Sequence, residues 1–191
     1  MKLANPYNLE KERLLTFVAN MACMKLKQLL LVFFSILSIS AWAHPADTTT
    51  PPYKKYPTLP AFNILLMDSA TTFNTFNIEE GRYTMLMFFS TDCDHCQMMT
   101  DTLKKSMHEL RNVQICMVAP QTVSEIRAFY NRNDMKRYRN VMMGKDIDMF
   151  FHKFYQAYYV PDIVIYDKHK KLVKFFEGGA HMKDILAALQ D

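Results

Sequence analysis

An almost unbroken apolar run at residues 83–89 is followed at once by Cys93-Asp94-His95-Cys96, and then by Met98, Met99, Leu103, Met107 and Leu110. Apolar residues without alternation suit a strand covered on both faces, whereas spacings of three and four suit one face of a helix. The change of period falls on the two cysteines, which places them at a strand-to-helix junction. A central strand that feeds a helix in this way belongs to an α/β architecture.

The rest of the chain extends that pattern. Residues 62–66 and 72–76 read as two short strands about a turn at Asp68-Ser69, an added hairpin at the start of the domain. The motif helix is expected over 97–111, followed by a second apolar strand at 113–118 that ends at Pro120. A helix at 123–131 and a short strand at 140–143 come next. Asp146 is a suitable N-cap for a helix that carries Ile147, Phe150, Phe151 and Phe154 on one face. Residues 162–166 and 172–176 form a hairpin through Asp167-Lys168-His169, and Gly178-Gly179 leads into a last helix at 182–189. Strands and helices alternate first and an antiparallel pair closes the chain. The expected fold is therefore α/β, a central mixed β-sheet flanked by helices with an added N-terminal β-hairpin. The domain is expected over 59–191, and the Thr- and Pro-rich stretch at 44–58 reads as a flexible tether.

Ahead of the tether, residues 24–43 combine a basic start (Lys25, Lys27), a short apolar run at 29–39 and the small-residue pattern Ala41-Trp42-Ala43. These are the three parts of a secretory signal peptide, with cleavage before His44. A bilayer span needs about 20 apolar residues, so a retained membrane anchor is the weaker alternative. Residues 1–23 place Lys11, Glu12 and Arg13 ahead of that basic start and read as an upstream extension from a mis-assigned start codon. Export predicts a periplasmic or otherwise extracytoplasmic location, where disulfides persist.

The chain carries 23 basic and 19 acidic residues. Lys2, Lys11, Arg13, Lys25 and Lys27 all precede the cleavage site, against Glu10 and Glu12, so the domain itself is nearly neutral. That balance gives no footing for a nucleic-acid partner. Arg127, Arg132, Lys136, Arg137 and Arg139 cluster in sequence and read as a solvated helix face.

A C-x-x-C at the start of a helix has a mechanical use, because the unpaired N–H groups there stabilise a thiolate on the first cysteine. Cys93 is then the nucleophile, and Cys96, one turn later, resolves the mixed disulfide. His95 tunes the pair toward the thiolate, while Asp92 and Asp94 oppose it. Two other uses of the motif stand beside exchange. It can belong to a non-catalytic binding module, which holds a metal such as copper through Cys93, Cys96 and His95 or docks a partner protein without turnover; or it can be a purely structural disulfide, which gains little entropy across so tight a loop. Cys116 lies among Ile115, Met117 and Val118 and reads as a buried core residue without a role. The methionines follow helix spacing and read as core filling.

Phe88-Phe89-Ser90-Thr91-Asp92-Cys93-Asp94-His95-Cys96 and Val160-Pro161-Asp162-Ile163-Val164-Ile165-Tyr166-Asp167 together resemble the TlpA-like branch of thioredoxin-fold proteins. Pro60-Ala61-Phe62 is similar to that branch's opening strand, and Gly178 stands where it has a glycine after its last strand. The resemblance implies an extracytoplasmic thiol-disulfide oxidoreductase, more often a reductase, whose only redox group is the Cys93-Cys96 disulfide, with no added cofactor. It implies that Pro161 is a cis proline orienting a client, with the Val160 backbone left free to pair with the client peptide. From the residue alone, Pro161 reads as a trans proline starting an edge strand. The implied partners are a client protein with cysteines or disulfides and a membrane-bound electron donor. The chain departs from the branch where many members bury a proton-handling acid, since Met87 and Met99 occupy those positions. Asp92 replaces a tryptophan and Asp101 a proline, which leaves His95, Asp101 or water to take a proton from Cys96. A thiol peroxidase would want Pro and Thr where Leu86 and Ser90 stand.

Overall fold

The computed structural model describes residues 50–190 together with Met21 and Lys25. The expected signal peptide and upstream extension, those two residues apart, and the first part of the tether lie outside the described residues. The elements in order are α1 (Pro52–Lys55), β1 (Asn63–Leu66), β2 (Thr72–Asn74), β3 (Thr84–Phe88), α2 (Asp94–Lys105), β4 (Gln114–Ala119) and α3 (Val123–Arg132). They continue with β5 (Val141–Asp146), α4 (Phe150–Tyr155), β6 (Asp162–Tyr166), β7 (Leu172–Phe176) and α5 (Met182–Ala188).

Seven strands form one mixed sheet in the order β2-β1-β5-β4-β3-β6-β7. The apolar run makes β3 the strand from which the rest is built: it pairs parallel with β4 and antiparallel with β6. Side chains alternate across a strand, so the run serves two cores. Met85, Met87 and Phe89 pack with Leu103 of α2, Ile126 and Phe129 of α3 and Ile185 of α5. Leu86 and Phe88 pack on the other side with Phe151 and Tyr155 of α4. Each large side chain removed from water here contributes about 1.5–3 kcal/mol. This is the thioredoxin-like α/β fold that the sequence predicts, with the N-terminal hairpin added on the β5 side through β1.

Several boundaries differ from expectation for identifiable reasons. The motif helix begins inside the motif, at Asp94 with Cys93 as its N-cap, and ends at Lys105, not Arg111. Met107 and Leu110 are still buried, held by turns after the helix. The second strand stops at Asn74 because Thr75 turns inward: its hydroxyl donates to the Pro60 carbonyl at 2.6 Å and accepts from the Phe62 N–H at 2.9 Å. Asp146 ends β5, yet its carboxylate still accepts from the Phe150 and Phe151 N–H groups at 2.9 and 2.8 Å, so it caps α4 from a short distance upstream. Ile147 lies off that helix and is exposed. The described end of the expected tether is structured, because Tyr53 on α1 packs edge-on against Phe175 at 5.1 Å and Thr58 bridges to Lys171. Main-chain hydrogen bonds from the Leu172 N–H to the Pro57 carbonyl and from the Leu59 N–H to the Lys170 carbonyl, both 2.8 Å, hold the end of the segment beside β7.

Where β1 crosses β5 the backbones approach closely at Gly144. A Cβ there would stand 2.5 Å from Ile64 Cγ2 and 2.6 Å from the Leu65 carbonyl oxygen. Gly144→Ala is expected to cost about 2 kcal/mol by forcing the hairpin off the sheet edge. Urea unfolding midpoints of the two proteins measure it; equal midpoints would contradict this account of the crossing.

Candidate active site

Strand β3 delivers the chain to the motif, and α2 takes it away. Cys93, in extended backbone, caps the helix, and its Sγ accepts a hydrogen bond from the Cys96 N–H at 3.3 Å. This puts one of the orphan donors of the first turn on the sulfur, the arrangement that supports negative charge there. Cys93 is half-buried and Cys96 fully buried, both as free thiols. The second sulfur accepts from the Ser90 N–H at 3.5 Å. Burial, first of all, pushes the Cys96 thiol up to about 12, with the neighbouring Cys93 and the Asp162 carboxylate adding to it.

The Val160–Pro161 peptide bond is cis. It brings the Val160 carbonyl oxygen to 3.8 Å from Cys93 Sγ, the thiol donating. Gly179, at positive φ, lies beside it; an added Cβ would make ordinary contact at 3.5 Å from Pro161 Cγ and 3.6 Å from Met99 Cε. Thus Cys93, Cys96, Val160 and Pro161, read from two distant stretches of sequence, meet at one end of the sheet. His95 is on the first turn of α2 and exposed.

A polar cluster braces the loop before the motif. The Ser90 hydroxyl donates to the Asp92 carboxylate, and Gln121 Nε2 donates to Ser90 Oγ at 2.6 Å. The Ser90 hydrogen bond holds the exposed Asp92 carboxyl below the usual carboxylate range. Asp101 accepts from Lys104 Nζ at 3.0 Å and Gln97 Nε2 at 3.3 Å, and the Lys104 contact lowers its pKa. It is therefore occupied elsewhere on α2. Among the described residues no three of His, Cys, Asp and Glu converge as a metal site.

The sequence reading passed over Asp162. This residue opens β6 and is fully buried. Its Oδ1 accepts from the Gly178 N–H at 2.7 Å, while Oδ2 is buried and has no hydrogen-bond partner among the described residues. Burial raises the carboxyl from 3.8 to about 6. The available signal was a charge at the head of the apolar run Ile163-Val164-Ile165, since a carboxylate is almost never fully buried without a reason.

Residues 57–175 match the AhpC/TSA family. A search of curated proteins finds no match. Among solved structures, the chain resembles a secreted disulfide oxidoreductase of Mycobacterium tuberculosis described as homologous to Escherichia coli DsbE. The TM-score is 0.56 at 16% identity, over 68% of this chain and 94% of that one. It also resembles the exposed lipoprotein thioredoxin Etrx1 of Streptococcus pneumoniae, with a TM-score of 0.56 at 20% identity over 69% and 98%. A third similar structure is the 2-Cys peroxiredoxin of Plasmodium vivax, with a TM-score of 0.57 at 16% identity over 70% and 78%. At such identities the likeness establishes the fold. Among the described residues no helix is long and apolar enough to cross a membrane.

Proposed function

Since the chain belongs to the AhpC/TSA family, we propose that it is an exported, TlpA-like thiol-disulfide oxidoreductase that reduces client disulfides through Cys93 and Cys96. The observation that carries this reading is the asymmetry of the pair: one sulfur half-exposed at a helix N-terminus with an N–H aimed at it, the other buried one turn behind. Cys93 attacks the client disulfide, a Cys93–client bond forms and one client thiolate leaves. Cys96 then attacks Cys93 Sγ, the mixed disulfide breaks, and the second client thiolate is released. Two electrons pass from the dithiol to the client, and a membrane-bound donor restores the pair. The disulfide is the only redox group this scheme requires.

The client backbone pairs with Val160, whose carbonyl already lies against Cys93, and the cis Pro161 orients it. Tyr158 and Tyr159, just before Val160, and Met98, on the motif helix, are exposed apolar side chains of the kind that line protein-docking sites. Leu86 and Ser90, where a peroxidase wants Pro and Thr, support exchange over peroxide reduction. The signal-peptide pattern at 24–43 supports export, as do the secreted and surface-exposed proteins of similar fold.

The test is exchange itself. Purified protein incubated with reduced or oxidised dithiothreitol or glutathione is expected to interconvert between Cys93–Cys96 dithiol and disulfide, read by alkylation and mass spectrometry. A pair inert to both reagents overturns the proposal. Alkylation trapping in intact cells is expected to find the pair mostly reduced; a mostly oxidised pair would reverse the direction to oxidase.

A further inference from the structure

The end of the sheet opposite the dithiol gathers arginines from separate stretches of sequence. Strands β3 and β4 run parallel, as do β4 and β5, so all three begin at one edge of the sheet and finish at the other. Cys93 follows the finish of β3. Arg82 stands two residues before β3, Arg111 three before β4 and Arg139 two before β5. The topology therefore sets one arginine ahead of each of three neighbouring strands. Arg137 joins them from the short 3₁₀ turn Met135–Arg137. The expected solvated helix face at 127–139 is thus divided. Helix α3 ends at Arg132, with Arg127 donating to the Met67 carbonyl and Arg132 to the Thr91 carbonyl, while Arg137 and Arg139 lie past its end.

Arg82, Arg111, Arg137 and Arg139, with Tyr138 and Asn140, line a cavity of about 400 Å³, a volume in the range of small-molecule sites. Among the described residues no carboxylate lines it. Arg82 and Arg137 each have an acid at hand, Glu79 at 3.0 Å and Asp134 at 2.7 Å, but both acids stand outside the lining. The Arg111 guanidinium meets His108 Nε2 at 3.3 Å. The Arg139 side chain has no partner among the described residues. The backbone around the cavity is braced. Asn140 Nδ2 donates to the Leu110 and Val113 carbonyls, both at 2.9 Å, which ties the segment carrying Arg111 to the start of β5 beside Arg139. Arg82 Nη2 donates to Gln114 Oε1 at 3.3 Å, at the first residue of β4. A concavity lined by one sign of charge concentrates ions of the other sign.

We infer that this cavity is a binding site for a phosphate-bearing anion. A guanidinium presents a planar fork that matches carboxylate and phosphate alike. Forks arriving from separate segments suit a tetrahedral phosphate, with three free oxygens and more than one charge, better than a planar carboxylate with two oxygens. The phosphate group is the recognised chemistry, whether it belongs to a soluble molecule or to the head of a lipid. The site lies at the other end of the sheet from Cys93 and does not depend on the exchange reading.

Inorganic pyrophosphate is the probe. Titrated into the purified protein at low salt, it is expected to bind saturably by calorimetry and to raise the melting temperature. Arg111→Gln and Arg139→Gln are each expected to weaken binding about 10-fold, whereas Arg127→Gln, outside the cavity, leaves it unchanged. Disulfide exchange is expected to be the same in all three variants. Sedimentation with phosphatidylcholine vesicles containing phosphatidylglycerol then separates the sources. Vesicle binding that pyrophosphate displaces assigns the site to a lipid headgroup; vesicle binding that is absent, or that pyrophosphate leaves intact, assigns it to a soluble phosphate. The parent titration needs no variant, and a parent that binds no pyrophosphate overturns the site. Binding unchanged in both cavity variants, or weakened equally by Arg127→Gln, overturns it as well.

Discussion

Cys93→Ser is expected to reduce disulfide exchange to the rate of the buffer blank, while Cys96→Ser is expected to keep the first attack and halt at a stable mixed disulfide. The asymmetry follows from where the two sulfurs sit. Cys93 is half-buried, caps α2 and receives the Cys96 N–H at 3.3 Å. Cys96 is buried, and that burial pushes its thiol up to about 12, which keeps it protonated at neutral pH. With Cys93 gone, no exposed thiol remains among the described residues, because Cys116 is buried too and its thiol is also raised to about 12. With Cys96 gone, Cys93 still opens the client disulfide, but nothing displaces the client. Mixing each variant with a disulfide-containing protein and separating products on a non-reducing gel distinguishes them: no adduct for Cys93→Ser, an accumulating one for Cys96→Ser. Adducts of equal yield from both variants would mean that the burial difference does not govern the order of attack.

The parts of this site that rest on local pattern were legible in the sequence, and the parts that rest on encounters between distant residues were not. The apolar run before the cysteines and the helical spacing after them located the junction, because period is a local property. The helix end was misread because Met107 and Leu110 continue an apolar spacing that turns, not helix, carry into the core. The tether was misread in its described part because composition does not show that Tyr53 has Phe175 and Tyr155 to pack on. Asp162 stands between Pro161 and the apolar run Ile163-Val164-Ile165, and nothing in that local pattern marks it as buried. What makes Asp162 notable is its burial and a carboxylate oxygen with no partner among the described residues, and both depend on segments that meet only in the fold.

Asp162→Asn is expected to be more stable than the parent at pH 7, by about 3 kcal/mol, with most of the difference gone by pH 4. The sign follows from the raised carboxyl. Unfolded, Asp162 titrates near 3.8; folded, burial moves it to about 6. Between these values the folded state holds the proton more tightly, so the parent's stability is fully present below the lower value and falls as pH rises through the upper one. Above it the folded protein carries the full cost of a charge with one oxygen unsatisfied. An Asn keeps the Gly178 N–H satisfied and carries no charge, so it escapes that cost at neutral pH and gains nothing in acid. Carboxylates held low by their partners, such as Asp92 and Asp101, act in the opposite direction at lower pH and are common to both proteins, so they cancel in the comparison. Urea unfolding of the two reduced proteins at pH 4 and pH 7 reads the difference; parallel pH dependence would mean that Asp162 is not a destabilising charge when folded.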